Sequence, residues 1–172
     1  DLILYNLEAG EAVLTDNNDI RVYTDGKEKF RALIEEMKQA KRYIHMQYYI
    51  IRNDELWQEV EKVLIQKARE GVEVRVLFDS MGCRTMKNRD WERLEKEGIQ
   101  VAEFFPALLG QLQLRVNYRN HRKIVVIDGR VGFVGGFNVG REYLGRDKKF
   151  GYWRDTHLCI EGAAVTSLAV RF

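Results

Sequence analysis

One joint occurs twice in this chain. Glu-Gly-Val-Glu-Val begins at Glu70 and Glu-Gly-Ile-Gln-Val at Glu97. Before the first, Trp57, Val60, Leu64 and Ala68 recur at helical spacing, and before the second Trp91 and Leu94 do. The glycine supplies the left-handed residue on which a helix ends. Val72, Val74, Val76 and Phe78 then alternate as a half-buried strand does. A helix that buries one face and leads at once into a strand, twice over, predicts βαβ construction with parallel strands.

The remaining periodicities extend that frame. Residues 19–23 read as a strand, Phe30, Leu33, Ile34 and Met37 as a helix face, 43–51 as an apolar strand and 99–105 as another. The second half changes character, with strands following one another from Arg115 to Val134 and again over 153–160. Val165, Leu168, Ala169 and Phe172 then open an amphipathic helix. The expected fold class is α/β, a mixed β-sheet with helices on both faces. Residues 1–18 form a lead-in segment and 19–172 one domain, since 172 residues leave no room for a second core.

The chemistry is concentrated in the stretch HRKIVVIDGRVGFVGGFN. It places His121, Lys123, Asp128, Gly135 and Asn138 at the spacing H-x-K-x4-D-x6-G-x2-N. On an extended strand His121 and Lys123 share a face, a nucleophile beside a cation. A neutral imidazole can attack phosphorus and carry the phosphoryl group covalently, while an ammonium offsets the charge gathering on the non-bridging oxygens. Asp128-Gly129 closes the strand as a turn pair, Gly135-Gly136 lets backbone come close to a ligand, and Asn138 has an amide to donate to a phosphate oxygen. Each fragment has a plain alternative: His-x-Lys is commonly a solvated strand end, and Asp-Gly a bare hairpin. Together, in this order, the five identities point to a phosphodiester-handling site.

Charge agrees with that reading. The net charge is only +2, from 28 basic and 26 acidic residues, so no nucleic-acid coat is indicated and no nucleic-acid partner is expected. Between Glu103 and Asp128, however, no acidic residue occurs, while Arg115, Arg119, Arg122 and Lys123 all do, a local positive field that makes Arg119 a further phosphate-binding candidate. Cys83 and Cys159 show neither C-x-x-C nor Cys/His ligand spacing, and no acidic cluster stands out, so neither a metal nor another cofactor is expected. Phe104 to Leu109 is the most apolar loop, placed either to dip into a lipid interface beside the cations or to cap the core. His45 and His157 sit among aromatic or apolar neighbours and read as hydrogen-bonded core or strand-edge histidines. His45 shares a face with Gln47 and Tyr49 that is placed to line a groove.

The stretch resembles the HKD motif of the phospholipase D superfamily. Its flanks, residues 117–123, 142–145 and 153–157, with 48–56 and 67–72 upstream, resemble bacterial cardiolipin synthases over nearly the whole chain. The resemblance implies a phospholipase D-like α/β/α sandwich, of which this is the first catalytic half, and phosphatidyl transfer through a phosphohistidine without metal or cofactor. It implies Asp155 as the acidic partner of the nucleophile, against the alternative of a surface ion pair with Arg154, and makes Asp128 structural support more than a proton carrier. A family carboxylate is replaced here by Gln47. The implied partners are a phospholipid substrate, phosphatidylglycerol, and the surface of a bacterial cell membrane, with the domain on its cytoplasmic side. A second HKD half, from a longer two-motif chain or a two-fold homodimer, is implied as well. The sequence begins without Met and shows no signal peptide and no apolar run long enough to span a bilayer, which fits an excerpt. Two other functions stay open: a dimeric single-motif phosphodiesterase or nuclease, and a lipid- or phosphate-binding module without turnover.

Overall fold

The computed structural model describes residues 2–10, 12–104 and 119–172. The strands are β1 (Asn18–Asp25), β2 (Tyr43–Tyr48), β3 (Glu73–Asp79), β4 (Gln100–Phe104), β5 (Ile124–Ile127), β6 (Val131–Gly135) and β7 (Arg154–Gly162). The helices are α1 (Leu2–Gly10), α2 (Gly26–Lys38), α3 (Glu55–Arg69), α4 (Asn88–Lys96) and α5 (Ala164–Arg171), with a 3-10 turn at Arg141–Leu144.

All seven strands join one sheet in the order β1-β7-β6-β5-β2-β3-β4. β2, β3 and β4 run parallel, with α3 and α4 as the crossovers, while β5, β6, β7 and β1 are antiparallel. The repeated joint behaves as its sequence dictates: Gly71 and Gly98 take φ of +86° and +82°, where a side chain would be strained. α2 and α3 are capped by Asp25 and Asp54, whose carboxylates accept from the backbone N–H groups of Lys27 and Glu28 and of Leu56 and Trp57.

Helices cover both faces. On one, Leu33 and Met37 of α2, Trp57 and Leu64 of α3 and Leu94 of α4 pack with Ile44, Met46, Val76, Val125 and Phe133. Trp91 stacks on Phe78 at 4.0 Å and meets Trp57 edge-on at 6.0 Å. On the other face, Val165 of α5, with Leu168, covers Ile124, Val126 and Ile160.

Three boundaries differ from the sequence reading. The lead-in contains α1, none of whose residues is buried. β2 stops at Tyr48, and Ile51 returns to form a single parallel bridge with Val139. β5 begins only at Ile124, so His121 and Lys123 precede the strand instead of lying on it. Arg115 and the apolar loop beyond Phe104 lie outside the described residues.

Candidate active site

The loop that carries His121 is set by the end of β3. Asp79, only 1% exposed, accepts from the Asn120 backbone N–H at 3.2 Å and lies 3.8 Å from the Arg119 guanidinium, which also donates to Ser80 Oγ. A buried carboxylate that grips two successive residues fixes the third. His121 is thereby presented, exposed, at an open pocket lined by Phe104, Arg119, Asn120 and Arg122. Its ring leans on Tyr49 with centroids 4.6 Å apart. Asp79 follows the alternating run of β3 with no motif to mark it, and Tyr49 stood in the sequence only as a groove-lining candidate.

Lys123 is 3% exposed and turns back beneath His121. Its Nζ donates to the His121 carbonyl at 2.7 Å and lies 3.0 Å from Nδ1. The juxtaposition expected of a strand is therefore made by a loop. Burial pushes the Lys123 amine down to about 8, with the Asp155 charge acting in the opposite sense. Burial, then the neighbouring ammonium, also lowers His121, against an upward pull from Asp79. At neutral pH a neutral imidazole and a protonated amine thus stand in contact, the pairing that phosphoryl transfer to nitrogen requires.

β6 leads into the glycines and Asn138. A Cβ at Gly136 would lie 1.9 Å from Asp155 Oδ1, and one at Gly135 would lie 2.4 Å from the Thr156 carbonyl oxygen. The close approach expected of a ligand is made here by β7. Asp155 accepts from the Thr156 N–H at 2.7 Å, and its charge acts on Lys123. Asn138, 5% exposed, accepts from the Ile50 N–H and donates to Tyr143 Oη, each at 3.0 Å, which leaves one amide hydrogen for a ligand. Backbone bonds from Arg52 N to Val139 O and from Val139 N to Ile50 O hold it there.

Asp128 stands apart from this group. It stands at the opposite end of β5, with φ of +56°, and its carboxylate accepts from the backbone N–H groups of Lys41, Arg42 and Tyr43 at 2.8, 2.8 and 2.9 Å. The conformation follows from the tight turn it opens with Gly129, also at positive φ. Its work is to tie that turn to the start of β2.

The other two histidines separate. His45 pairs with Glu73 at 2.8 Å and stacks between Tyr43 and Phe172, away from the pocket. His157 is fully buried, but the hydrogen bond expected of it is missing: among the described residues neither ring nitrogen has a partner. Also among the described residues, no group of three or more His, Cys, Asp or Glu side chains is placed to hold a metal ion.

The family model described as "Cardiolipin synthase, PLD-like domain" matches residues 33–155. The chain is 52% identical over all 172 residues to a cardiolipin synthase of Oceanobacillus iheyensis and 51% identical to the major cardiolipin synthase ClsA of Bacillus subtilis, covering 36% of each. It is 53% identical over 171 residues, 99% of its length, to a cardiolipin synthase of Staphylococcus aureus, covering 34% of it. The chain thus spans about a third of the length of these relatives. Among solved structures, NucT from Helicobacter pylori superposes with a TM-score of 0.66 at 14% identity, covering 90% of this chain and 91% of that one. Phosphatidylserine synthase of Haemophilus influenzae superposes with a TM-score of 0.67 at 20% identity, covering 88% and 35%. These likenesses show a shared fold. With a family model over 123 of its 172 residues and relatives at half identity along its whole length, the chain belongs to the phospholipase D-like domain family of the cardiolipin synthases.

Proposed function

We propose that this domain carries one half of a phosphatidyltransferase site that makes cardiolipin from two phosphatidylglycerol molecules. The observation that carries the reading is the contact between an exposed His121 and a buried Lys123, 3.0 Å from nitrogen to nitrogen. When a phosphodiester enters, Lys123 turns its ammonium toward the non-bridging oxygens, helped by the remaining amide hydrogen of Asn138. Arg119 adds positive charge at the rim. Nδ1 is then released to hold the ring proton toward Asp155, and Nε2 attacks phosphorus. The N–P bond forms, the P–O bond to glycerol breaks, and glycerol leaves after taking a proton. The hydroxyl of a second phosphatidylglycerol then attacks, loses its proton and frees the histidine.

The substrates place the work at a bacterial membrane surface, with the catalytic domain on the cytoplasmic side. No helix among the described residues is long and apolar enough to cross a membrane. The exposed Leu2, Leu4, Tyr5 and Leu7 of α1 suit contact with lipid.

The test is to trap an acid-labile phosphatidyl adduct on His121 after mixing the chain, at concentrations that let two copies pair, with phosphatidylglycerol vesicles. The adduct is expected in wild type and absent in His121→Ala, and Lys123→Ala should slow its formation about a hundredfold, roughly 3 kcal/mol of transition-state stabilisation. Vesicle binding without any adduct would make the domain a lipid-binding module. Cleavage of nucleic acid or of bis-nitrophenyl phosphate without lipid transfer would make it a phosphodiesterase.

A further inference from the structure

On the face covered by α2, the strand register aligns a polar row behind the site. Gln47 pairs with Ile124, and Ile124 with Val134; continued one residue past these pairs, the ladder points Tyr48 and Gly135 to either side of Lys123, and the Gly135 N–H donates to the Lys123 carbonyl at 3.4 Å. Gly135 pairs with His157, and His157 with Tyr23. The row therefore runs Tyr48, Lys123, Gly135, His157, Tyr23. A Cβ on Gly135 would lie 2.7 Å from His157 Cγ, so the imidazole occupies the space that the glycine leaves.

Lys29, one turn into α2, sits on this row with no exposed surface. Its Nζ lies 2.7 Å from Tyr48 Oη and 3.7 Å from the centroid of the Phe30 ring. Among the described residues no carboxylate pairs with it. An unpaired ammonium is costly in such a place, and burial drives the Lys29 amine well below its ordinary value. Burial, with the nearby charge of Lys123, pushes His157 down to about 2, so that ring stays neutral and keeps a lone pair without a donor. The other ionisable groups around the row include His121 from the loop, Asp155 from β7 and the phenols of Tyr48 and Tyr23, with Cys159 of β7 and Arg21 of β1 beside Tyr23. Glu36, further along α2, is held by Arg130.

The row therefore holds a base without a counter-charge and an acceptor without a donor. We propose that Lys29 is a buried proton-uptake residue behind the phosphate site: an anion arriving at Lys123 draws a proton from solvent onto Lys29 Nζ. The new ammonium donates to Tyr48 Oη and to the open lone pair of His157. When the anion leaves, the proton returns to solvent. Lys29 touches no reacting atom, so it is a positioning residue that sets the electrostatic environment of the site. The inference rests on reading residues 121–123 as a phosphate site.

The experiment titrates the folded chain with dimethyl phosphate, a diester that keeps one negative charge across the neutral range. Dissociation constants are measured by NMR at a series of pH values, and the slope of log Kd against pH counts the protons taken up. Lys29→Met is expected to lower that slope and to bind about tenfold more weakly at the acid end, the factor carried by a one-unit rise in one amine's pKa. Tyr48→Phe removes only the phenol oxygen, should lower the slope in the same sense, and decides the matter where Lys29→Met does not fold. Slopes equal to wild type in the folded variants, with binding still abolished by Lys123→Ala, overturn the inference and leave the phosphate site standing. Absence of binding by wild type, or binding that Lys123→Ala leaves unchanged, overturns both.

Discussion

In the proposed transfer His121 and Lys123 set opposite limits. The imidazole must lose its proton to attack, which its lowered value allows below the usual histidine range, whereas the amine must keep its proton, which it does up to about 8. Initial rates of adduct formation should therefore rise with pH in the mildly acidic range, level off, and fall as pH passes about 8. Asp155→Asn tests which partner that carboxylate serves. Its charge supports the Lys123 ammonium, so its loss should move the falling limb to lower pH, which a pH-rate series would detect. The spacing of identities made His121 and Lys123 legible in the sequence, because chemistry and offset appear together. The row that joins Tyr48, Lys123 and His157 was not legible, although His157 read as a core histidine, since the row arises only from the order in which β2, β5, β6 and β7 lie side by side.

Among the elements, the β5–β6 hairpin shows best how a motif residue can serve the fold. Asp128→Ala removes an acceptor shared by three backbone N–H groups and should cost about 2 kcal/mol in denaturant unfolding, with Lys123 chemistry intact. Burial opposes its ionisation, but the backbone bonds from Tyr43, Lys41 and Arg42 outweigh that and hold the carboxyl below its ordinary range. Its folded value is depressed, so its contribution is complete above the ordinary carboxylate range and is lost as pH falls through the folded value. Gly136→Ala should act differently. The added methyl would meet Asp155 Oδ1 at 1.9 Å, so adduct formation should drop along with a loss of stability of about 1–3 kcal/mol, measured by the same unfolding assay. The βαβ half was readable because helical and strand periods are strong there and Gly71 and Gly98 punctuate them. The segment 119–123 was misread as strand because its alternation of side chains is produced by the grip of Asp79 on the preceding loop, a contact 41 residues away in sequence.

At the scale of the whole molecule, the inventory of histidines is decisive. The chain has three, of which His45 is paired with Glu73 and His157 is sealed in the core, so His121 is the one imidazole at the pocket. A leaving glycerol needs a proton donor that these residues do not supply, and the proposed transfer calls for a second motif, from further chain or from a second copy across a two-fold axis. Turnover per chain should accordingly rise with protein concentration in step with dimer formed, as sedimentation and activity measured on the same samples would show. Full turnover in a strictly monomeric sample would remove the requirement.

The pairing of β1 with β7 joins residues about 140 positions apart in sequence. A ribosome adding roughly 5–20 residues per second would release β1 several seconds or more before its neighbour exists. Throughout that wait β1 has no strand to pair with, because β7 is its one neighbour in the sheet. No nascent chain that lacks β7 can therefore hold Asp155 beside Lys123, and the interval before closure is when a chaperone would matter most to its survival.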